Sequence, residues 1–328
     1  MIRRKKIMPK GTVLIAGGAG FIGSHLCDRM IVEGYDVIAV DNEITGRADN
    51  VKHLGEHKNF TYYKIAVENI NNGGFYENSS RKKIDFIFHF ASIASPVGYK
   101  KFPIETMLAN SIGTLKLLEL ALTENCGFMY ASTSEVYGDP LEHPQTEGYY
   151  GNVNPVGSRS MYDEAKRFGE ALVVHFCTKH FIPAKIIRIF NTYGQRMSPN
   201  DGRVIPTFIE QARLGMPYTI SGDGQQTRSF CYIQDLIDGI FLFFKSEYCG
   251  VINLGNPEEY TIRAIAKKIH DAYNPIRLFS VIQDNHGIDP DDPKQRRPDI
   301  TKAQQILGWN PKVSIDQGLE RTVKHARC

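Results

Sequence analysis

The sequence predicts an α/β fold, in which a doubly wound parallel sheet is combined with a smaller C-terminal lobe interleaved with it. Two observations predict this architecture. Over the first two thirds of the 328 residues, short apolar runs alternate with longer segments of helical periodicity. That order is typical of parallel strands between two layers of helices. After about Asn191 the elements shorten and glycine and proline become more frequent, which predicts the second lobe.

The individual elements follow from the spacing of apolar residues. Short apolar runs predict buried strands at 12–16, 36–40, 60–65, 84–88, 127–131 and 184–189. Helical spacing of apolar residues predicts helices at 21–33, 104–124 and 162–180. The segment 68–83 is polar, has Asn71-Asn-Gly-Gly74 at its centre, and is expected to be a surface excursion.

Composition and charge exclude several classes of protein. The chain is 42% hydrophobic and 23% charged, and its net charge of +3 argues against nucleic acid or a membrane surface as partner. The start of the chain, 1–6, is basic, but the apolar stretch at 13–16 is too short for a signal sequence or a membrane span. The six cysteines show no paired spacing, which predicts reduced thiols, no metal site and a cytoplasmic location.

A glycine-rich turn joins the first predicted strand to the first predicted helix, and it reads Gly17-Gly-Ala-Gly20-Phe-Ile-Gly23. Such a turn lets the backbone approach a pyrophosphate and directs a helix N-terminus at its charge. Asp41 ends the next strand, where a carboxylate bonds the ribose hydroxyls of NAD and repels the 2′-phosphate of NADP. An ordinary tight turn is the alternative for the glycines, and Arg47 keeps NADP open.

The turn therefore predicts a Rossmann-like, NAD-binding first domain. We expect residues 1–10 to form a basic tail, 11–190 the NAD-binding domain, and 191–328 mainly a substrate-binding lobe interleaved with the first. The residues expected to bind NAD are Gly17, Gly20, Phe21, Ile22, Gly23, Asp41, Asn42 and Arg47, together with Tyr162 and Lys166.

A second signal is Tyr162-Asp-Glu-Ala-Lys166, which opens a predicted helix. Residues four apart share a helix face, so we expect the lysine ammonium near the phenol, where it lowers the pKa of the tyrosine. Such a tyrosine can take the proton of a substrate hydroxyl while the carbon gives hydride to NAD. Thr133, or Ser132, lies at a strand end and is expected to bond the same hydroxyl. A surface tyrosine–lysine pair is the alternative.

Together these signals resemble the nucleotide-sugar branch of the extended short-chain dehydrogenase/reductase family. The resemblance runs from Gly17 to about Trp309 and is closest to the UDP-glucuronate decarboxylases (UDP-xylose synthases). Ile93 and Gln195 depart from the prolines that are usual in the family at those positions. The stretches that support the resemblance are 41–47, 89–92 with 95–96, 132–140, 151–155, 188–194, 201–203, 224–230 and 291–300.

The resemblance implies NAD-dependent decarboxylation of UDP-glucuronate to UDP-xylose. Oxidation of C4 makes a ketone β to the C5 carboxylate; carbon dioxide then leaves, C5 is reprotonated and C4 is reduced again. Related dehydratases have an Asp-Glu pair where this chain has Ser134-Glu135, and simple 4-epimerases usually lack the glutamate, so Ser-Glu favours a sugar with a carboxylate. The catalytic residues implied are Tyr162, Lys166, Thr133, Glu135, Ser134 and Arg296.

The resemblance also implies where the substrate binds. Arg296 and Tyr99, with Ser134, are expected at the sugar carboxylate, and a solvated surface charge is the alternative for Arg296. An arginine fork suits phosphate geometry. The positions implied for the rest of the UDP-sugar are Asn191, Arg196, Arg203 and Arg228.

The helical segments 104–124 and 162–180 have broad apolar faces. In the family these helices pair with their copies as a four-helix bundle, which implies a homodimer; packing against the sheet is the alternative. Another nucleotide-sugar reaction on the same scaffold, 4-epimerisation or 4,6-dehydration, remains open. A non-catalytic NAD-sensing regulator is the alternative from another class.

Overall fold

The computed structural model describes residues 10–70, 82–284, 291–293 and 295–327. The strands within these ranges are, in chain order, β1 Thr12–Ala16, β2 Asp36–Asp41, β3 Phe60–Lys64, β4 Phe86–His89, β5 Gly127–Thr133, β6 Ala184–Ile189, β7 Thr192–Tyr193, β8 Tyr218–Ser221, β9 Thr227–Ser229, β10 Cys231–Tyr232, β11 Gly250–Leu254, β12 Glu259–Thr261 and β13 Val281–Asp284.

Seven of these strands form one parallel sheet in the order β11-β6-β5-β4-β1-β2-β3. The predicted doubly wound parallel sheet is confirmed, and so are the six predicted strands, apart from their exact ends. Strand β11 was not predicted; it comes from the later part of the chain and pairs with β6, Gly250 lying opposite Lys185. The two parts of the chain are therefore interleaved, while their division at residue 190 stays a prediction.

The helices accompany the strands as the alternation predicts. They are α1 Phe21–Val32, α2 Pro96–Lys101, α3 Pro103–Asn110, α4 Ile112–Glu124, α5 Ser160–His180, α6 Val204–Leu214, α7 Ile233–Lys245, α8 Ile262–Tyr273, α9 Thr301–Leu307 and α10 Ile315–Ala326.

The single helix predicted at 104–124 is wrong: the structure has two helices, α3 and α4, that meet at Ser111. At Ser111 the backbone departs from regular helical geometry, with φ −112° and ψ −80°. Beyond the break, a Cβ at Gly113 would lie 2.5 Å from the Val67 side chain. Helix α4 thus runs close to the 3₁₀ helix Val67–Asn69.

Helices cover both faces of the sheet because successive strand residues point to opposite faces. From β1, Val13 and Ile15 belong to the apolar core that includes residues of α1 and α7. Leu14 and Ala16 belong to the second core, which includes residues of α4 and α5. All four side chains are fully buried, which explains why the strand reads as a continuous apolar run.

Outside the central sheet, the later part of the chain forms three short strand pairs. Strand β7 pairs with β10 and β8 with β13, both in parallel, while β9 pairs with β12 antiparallel. In an open parallel sheet, ligands bind at the carboxyl ends of the strands. The glycine turn after β1 and Thr133 at the end of β5 lie at that edge.

Two predicted segments fall partly outside the described residues: the basic tail before Lys10, and 71–81 of the polar excursion. Within the described ranges, no helix is both long enough and apolar enough to span a membrane. The described cysteines are all free; Cys249 is exposed, and the buried ones are Cys27, Cys126, Cys177 and Cys231.

Candidate active site

The glycine turn between β1 and α1 is packed tightly against neighbouring backbone. Gly17 has a φ of +81°, and a Cβ there would lie 2.6 Å from the carbonyl of Phe90. A Cβ at Gly23 would lie 2.0 Å from the Gly17 carbonyl oxygen. Helix α1 follows Gly20, so no side chain caps its first turn. The turn therefore presents bare backbone amides at a helix N-terminus, which suits a pyrophosphate.

Asp41 ends β2 beside this turn. Its Oδ2 accepts a hydrogen bond from the Ala19 amide at 3.1 Å, and its Oδ1 accepts one from the Glu43 amide at 2.8 Å. Burial raises the pKa of Asp41, although both amide bonds act to lower it. With Gly17 and Gly20, Asp41 lines a cleft at this edge of the sheet. These residues fit the pyrophosphate and ribose of a dinucleotide.

The remaining predicted cofactor residues lie around the same turn. Phe21 and Ile22 are the first, half-buried residues of α1. Asn42 is exposed and lines the cleft. Arg47 is also exposed, and its Nη2 lies 3.4 Å from the Asn50 side-chain oxygen, beyond a strong hydrogen bond. The Arg47 amide donates to the carbonyl of Ala19 in the glycine turn at 3.0 Å, whereas no described contact ties its side chain to the residues that line the cleft.

Tyr162 and Lys166 are both buried on the first turns of α5. The Lys166 Nζ donates to the carbonyl of Ala131 on β5 at 2.7 Å and lies 5.9 Å from the centre of the Tyr162 ring. Burial lowers the pKa of Lys166 to about 7. Burial also raises the pKa of Tyr162 well above its ordinary value. A hydrogen bond from Thr133 and the charge of Arg203 act to lower that pKa, but burial outweighs them.

The prediction that Lys166 lowers the pKa of Tyr162 is therefore wrong for this structure. The i, i+4 spacing does place both residues on one helix face, but burial outweighs the charges near the phenol. The lysine is directed to a strand carbonyl, and its own charged form is weakened by the same burial.

The structure distinguishes Thr133 from Ser132. Neighbouring strand residues point to opposite faces, and the Ser132 hydroxyl donates to Glu170 at 2.6 Å. Glu170 is held in turn by Arg188 through hydrogen bonds of 2.9 and 2.8 Å. Thr133 instead bonds Tyr162. The Thr133 hydroxyl is therefore the one available to a substrate bound at Tyr162.

Glu135 lies on the 3₁₀ helix Ser134–Tyr137, which directly follows β5, and it is 9% exposed. Its amide donates to the Thr133 hydroxyl at 3.2 Å, which caps this short helix. Its two carboxylate oxygens accept from the two terminal nitrogens of Arg296, each at 2.7 Å. Arg159 Nη2 lies 2.9 Å from Glu135 Oε2. Burial alone would raise the pKa of Glu135, but Arg296 and Arg159 outweigh it and lower the pKa to about 2.

These contacts correct one alternative considered for Arg296 and identify its partner in this structure. Arg296 is buried, so the alternative of a solvated surface charge is wrong. In this structure the guanidinium of Arg296 is bonded to the Glu135 carboxylate.

Arg159 was not predicted as a site residue. One signal was available: it precedes α5 directly, and a cation at a helix N-terminus opposes the helix dipole. A buried arginine at such a place needs an anionic partner, and Glu135 is that partner.

Tyr99 lies where the sequence predicted a substrate residue. Its ring stacks on that of Tyr162 with centroids 5.2 Å apart and planes 8° apart, and Ile93 packs with both. The Arg159 guanidinium lies 5.9 Å from the Tyr99 ring centre. Among the described residues, several buried polar atoms at this place have no hydrogen-bond partner: the Tyr99 hydroxyl, Asp163 Oδ1, and the Nε atoms of Arg159 and Arg296.

Asp163 follows Tyr162 on α5 and is 6% exposed. Burial raises the pKa of Asp163 to about 8, with a further rise from the Glu135 charge and opposing effects of Arg159 and Arg296. Two carboxyl groups thus occupy one buried site. The two arginines favour the ionised form of Glu135, whereas burial favours the protonated form of Asp163.

The three other arginines predicted to bind the substrate have different partners. Arg203 pairs with Asp201, and its charge acts on Tyr162. Arg228 is buried and donates to Asp292 at 2.8 Å. Arg196 instead pairs with Asp28 of α1 at 2.7 Å, so its described contacts do not bring it to Glu135.

Two further predicted residues complete the set. Ser134 is buried beside Glu135 and carries no charge. Asn191 lies between β6 and β7, where its carbonyl accepts from the Cys231 amide at 2.8 Å.

Residues 14–322 match the family model described as GDP-mannose 4,6 dehydratase. The chain belongs to this family. It is a group of extended short-chain dehydrogenases/reductases, so the family predicted from the sequence is confirmed.

Relatives of this short-chain dehydrogenase/reductase include two named UDP-glucuronic acid decarboxylases. Decarboxylase 4 of Arabidopsis thaliana is 45% identical over 96% of this chain and 68% of its own length. Decarboxylase 1 of Danio rerio is 43% identical over 95% of this chain and 72% of its own length. A solved UDP-glucuronic acid 4-epimerase from Bacillus cereus, with UDP-glucuronic acid and NAD, has a TM-score of 0.83 at 28% identity, over 96% of this chain and 99% of that one.

The protonation of Asp163 makes the stability of this short-chain dehydrogenase/reductase depend on pH. The folded chain keeps this proton up to about pH 8, whereas an unfolded aspartate loses it near pH 4. The stabilising effect of Asp163 is therefore complete below about pH 4 and is lost as the pH rises toward 8. In Asp163→Asn, the unfolding free energy relative to the wild type should rise between pH 5 and 8, by at most about 1.4 kcal/mol per pH unit.

Urea unfolding at a series of pH values measures this difference. Glu164→Gln, a change at a half-exposed site on the same helix, is the control and should show no such trend. A difference for Asp163→Asn that stays constant from pH 5 to 8 would mean that Asp163 is ionised in the folded protein.

Proposed function

We propose that this chain is an NAD-dependent UDP-glucuronate decarboxylase, which forms UDP-xylose through a UDP-4-keto sugar. One observation carries the proposal: the buried pairing of Glu135 with Arg296 and Arg159, close to Tyr162. The relatives from Arabidopsis thaliana and Danio rerio support it, since they are named for this activity and match nearly the whole chain. The likeness to the Bacillus cereus enzyme makes 4-epimerisation of the same sugar the second candidate.

The charges around Glu135 suit a substrate with one carboxylate. Glu135 carries one negative charge and the two arginines carry two positive charges, so the group has a net charge of +1. Asp292 also pairs with Arg159, but its side chain is 48% exposed and water screens it. A buried, unbalanced cation is unfavourable unless an anion joins it. A sugar carboxylate would supply that anion through charge-assisted hydrogen bonds.

Ser134 contributes to this selectivity by its neutrality. It is buried directly beside Glu135. An aspartate at this position would bring a second negative charge to the place where the sugar carboxylate binds, and like charges in a buried site repel strongly.

The oxidation of C4 falls to residues at the end of β5 and the start of α5. Tyr162 in its ionised form would accept the proton of the C4 hydroxyl, and Thr133 would bond the same oxygen. The Thr133 hydrogen bond and the Arg203 charge favour that ionised form, against the effect of burial. NAD, when bound, supplies the hydride acceptor for C4 and the hydride for its final reduction. Lys166, whose pKa of about 7 lies close to neutral pH, would hold the cofactor ribose and help the proton leave Tyr162.

Decarboxylation follows from the chemistry of the oxidised sugar. With a ketone at C4, the carboxylate on C5 is a β-keto acid, and carbon dioxide leaves as its bonding electrons move into an enolate at C4. The hydroxyls of Tyr162 and Thr133 are the donors that stabilise the enolate oxygen. Glu135, ionised, would hold the sugar ring and the water that returns a proton to C5.

The cofactor is held by the first part of the fold in this proposal. The glycine turn would bind the pyrophosphate, and Asp41 the adenosine ribose. The carboxylate of Glu43 lies close enough to raise the pKa of Asp41, and two carboxylates near the ribose disfavour the 2′-phosphate of NADP. The residues assigned to NAD are Gly17, Gly20, Phe21, Ile22, Gly23, Asp41, Asn42, Tyr162 and Lys166.

Incubation of the purified protein with UDP-glucuronate and NAD tests the proposed reaction. Because hydride returns to C4, we expect equal amounts of UDP-xylose and carbon dioxide and no net gain of NADH absorbance. Mass spectrometry and proton NMR identify the product. Tyr162→Phe should retain NAD binding and lower kcat by about 10²- to 10⁴-fold, whereas Tyr150→Phe, at a 90% exposed site, should not. A product that keeps all its carbons would favour the epimerase.

Arg296 is proposed to bind the sugar carboxylate, and its replacement tests that assignment. Loss of a hydrogen bond to a charged group costs about 1.5–3 kcal/mol, or roughly ten- to a hundred-fold in an equilibrium constant. Arg296→Ala should therefore weaken the binding of UDP-glucuronate by at least about ten-fold and that of UDP-glucose much less.

Titration calorimetry with both ligands measures this selectivity. Arg297→Ala is the matched control, because the Arg297 side chain points to Glu259 at 3.9 Å while its backbone amide and carbonyl bond Gln145. Equal losses for the two ligands would assign Arg296 to the nucleotide or to the fold.

The proposal includes a homodimer formed through a four-helix bundle. Part of the predicted apolar faces is taken by the sheet, since Leu118 and Ala165 are buried. The rest of α3, α4 and α5 exposes a group of large apolar side chains, which a second copy of the chain would cover: Ile104, Met107, Leu108, Ile112, Leu122, Phe168 and Val174. A cytoplasmic location is also proposed, supported by the free thiols of the described cysteines.

A charge placed on this face should separate the dimer. Phe168 is 53% exposed on α5, so Phe168→Glu would bury an unpaired carboxylate in the interface. Light scattering after size exclusion should give the mass of a dimer for the wild type and of a monomer for Phe168→Glu. Phe181→Glu, at a 92% exposed site after the helix end, is the control and should stay dimeric. A monomeric wild type would contradict the proposal.

A further inference from the structure

Arg159 makes contacts that no role assigned so far explains. It is 5% exposed, lies 2.9 Å from Glu135 Oε2, and lies 3.2 Å from Asp292 Oδ1. Its carbonyl accepts the amides of Tyr162 at 3.0 Å and Asp163 at 3.1 Å, so its backbone forms the first turn of α5. Arg159 is therefore fixed to the same turn as Tyr162.

Glu135 is bound by its two arginines in different ways. Arg296 takes both carboxylate oxygens, whereas Arg159 takes only Oε2. Arg296 comes from the segment after β13, and Arg159 directly precedes α5, the helix that bears Tyr162. A sugar carboxylate that binds the terminal nitrogens of Arg296 must therefore compete with Glu135 for them, whereas the bond from Arg159 to Glu135 does not involve those nitrogens.

A buried carboxylate that loses its cations takes up a proton, because burial favours the neutral form. Burial already acts to raise the pKa of Glu135, and the arginines reverse that effect. If Arg296 turned to the substrate and no other cation remained, Glu135 would become neutral at the moment when its charge is needed.

We propose that Arg159 is a positioning residue that keeps Glu135 ionised and in place while Arg296 binds the carboxylate of the substrate. This inference rests on the proposed decarboxylase function. In the substrate complex, Arg159 pairs with the carboxylate of Glu135 and Arg296 pairs with the carboxylate of the sugar. The unbonded Nε atoms of both arginines leave each guanidinium donors for this second arrangement.

Other groups also act on Glu135 and must be considered in a pH profile. Arg296 comes from the last part of the chain, and Arg159, Tyr162 and Asp163 come from α5 or the residue before it. The remaining groups whose charge is coupled to Glu135 are Tyr99 of α2, Arg203 before α6 and Arg228 of β9. Among them, Asp163 has its pKa raised by burial to about 8, above the acidic range.

The pH dependence of the decarboxylation rate tests the proposal. The acidic limb of the kcat/KM profile reports pKa values of the free enzyme, in which Arg296 still pairs with Glu135. The acidic limb of the kcat profile reports pKa values of the substrate complex. In Arg159→Gln the limb of kcat should move to higher pH by at least about one unit, the effect of one neighbouring opposite charge. The limb of kcat/KM should move much less. Arg159→Lys keeps the charge and should return the limb of kcat toward that of the wild type.

Arg167→Gln is the matched control. Arg167 lies two turns further along α5 and donates to the carbonyl of Val136 at 2.9 Å, so it supports the same 3₁₀ helix without pairing with Glu135. Its loss can lower stability or rate, but it should leave both acidic limbs where they are. If Arg159→Gln fails to fold, as circular dichroism would show, the Lys variant still decides, because its limb of kcat must stay close to that of the wild type.

Each outcome separates this inference from the proposed function. An inactive wild type refutes the decarboxylase and the inference together. An active wild type in which Arg159→Gln moves neither limb, or moves both equally, refutes the inference alone. The same shift in Arg167→Gln would show that any loss of support for the 3₁₀ helix produces it.

Discussion

The site depends on keeping one carboxylate ionised where little of it is exposed to water. Glu135 is almost fully buried at the end of β5, and burial by itself favours its neutral form. Arg296 and Arg159 reverse that preference from two different parts of the chain. Removing either arginine would leave Glu135 with a single cation, and burial would then act more strongly to raise its pKa. The pairing of Arg296 with Glu135 also joins the later part of the chain to the end of β5.

The parallel sheet determines which groups can meet at this place. Strands β1 and β5 end at the same edge, so the glycine turn and Thr133 follow from the topology and not from separate loops. Helix α5 packs against β5 and brings Tyr162 to the Thr133 hydroxyl. The reacting residues therefore lie on rigid elements, with few loop residues among them, and small changes in sheet twist would move them together.

Local patterns in the sequence predict the parts of this arrangement that local forces decide. Apolar runs locate the central strands β1, β2, β4 and β5 because these are buried on both faces. The glycine turn is recognisable because a Cβ at Gly17 or Gly23 would collide with backbone. The Tyr162 and Lys166 spacing places both on one helix face whatever surrounds them. Periodicity did not reveal the break at Ser111, where the apolar spacing continues across a local change of backbone angles. It also did not reveal β11, whose partner β6 is distant in the chain.

The missed parts of the site depend on burial and on long-range pairing. No spacing rule connects Arg159 with Glu135, and the pKa of Tyr162 depends on how deeply the fold buries the phenol. The choice between Ser132 and Thr133 likewise required the position of Glu170. Such features become visible only when the whole set of neighbours is known.

The pairing of β11 with β6 affects how the chain can be made. A ribosome releases β1 to β6 in order. The edge of β6 that faces away from β5 has no hydrogen-bonding partner until the residues of β11 have been synthesised. An open strand edge can pair with any other exposed strand. The nascent chain must therefore pass through a stage with a nearly complete, unprotected sheet, in which association with another nascent copy competes with the arrival of its own last strand.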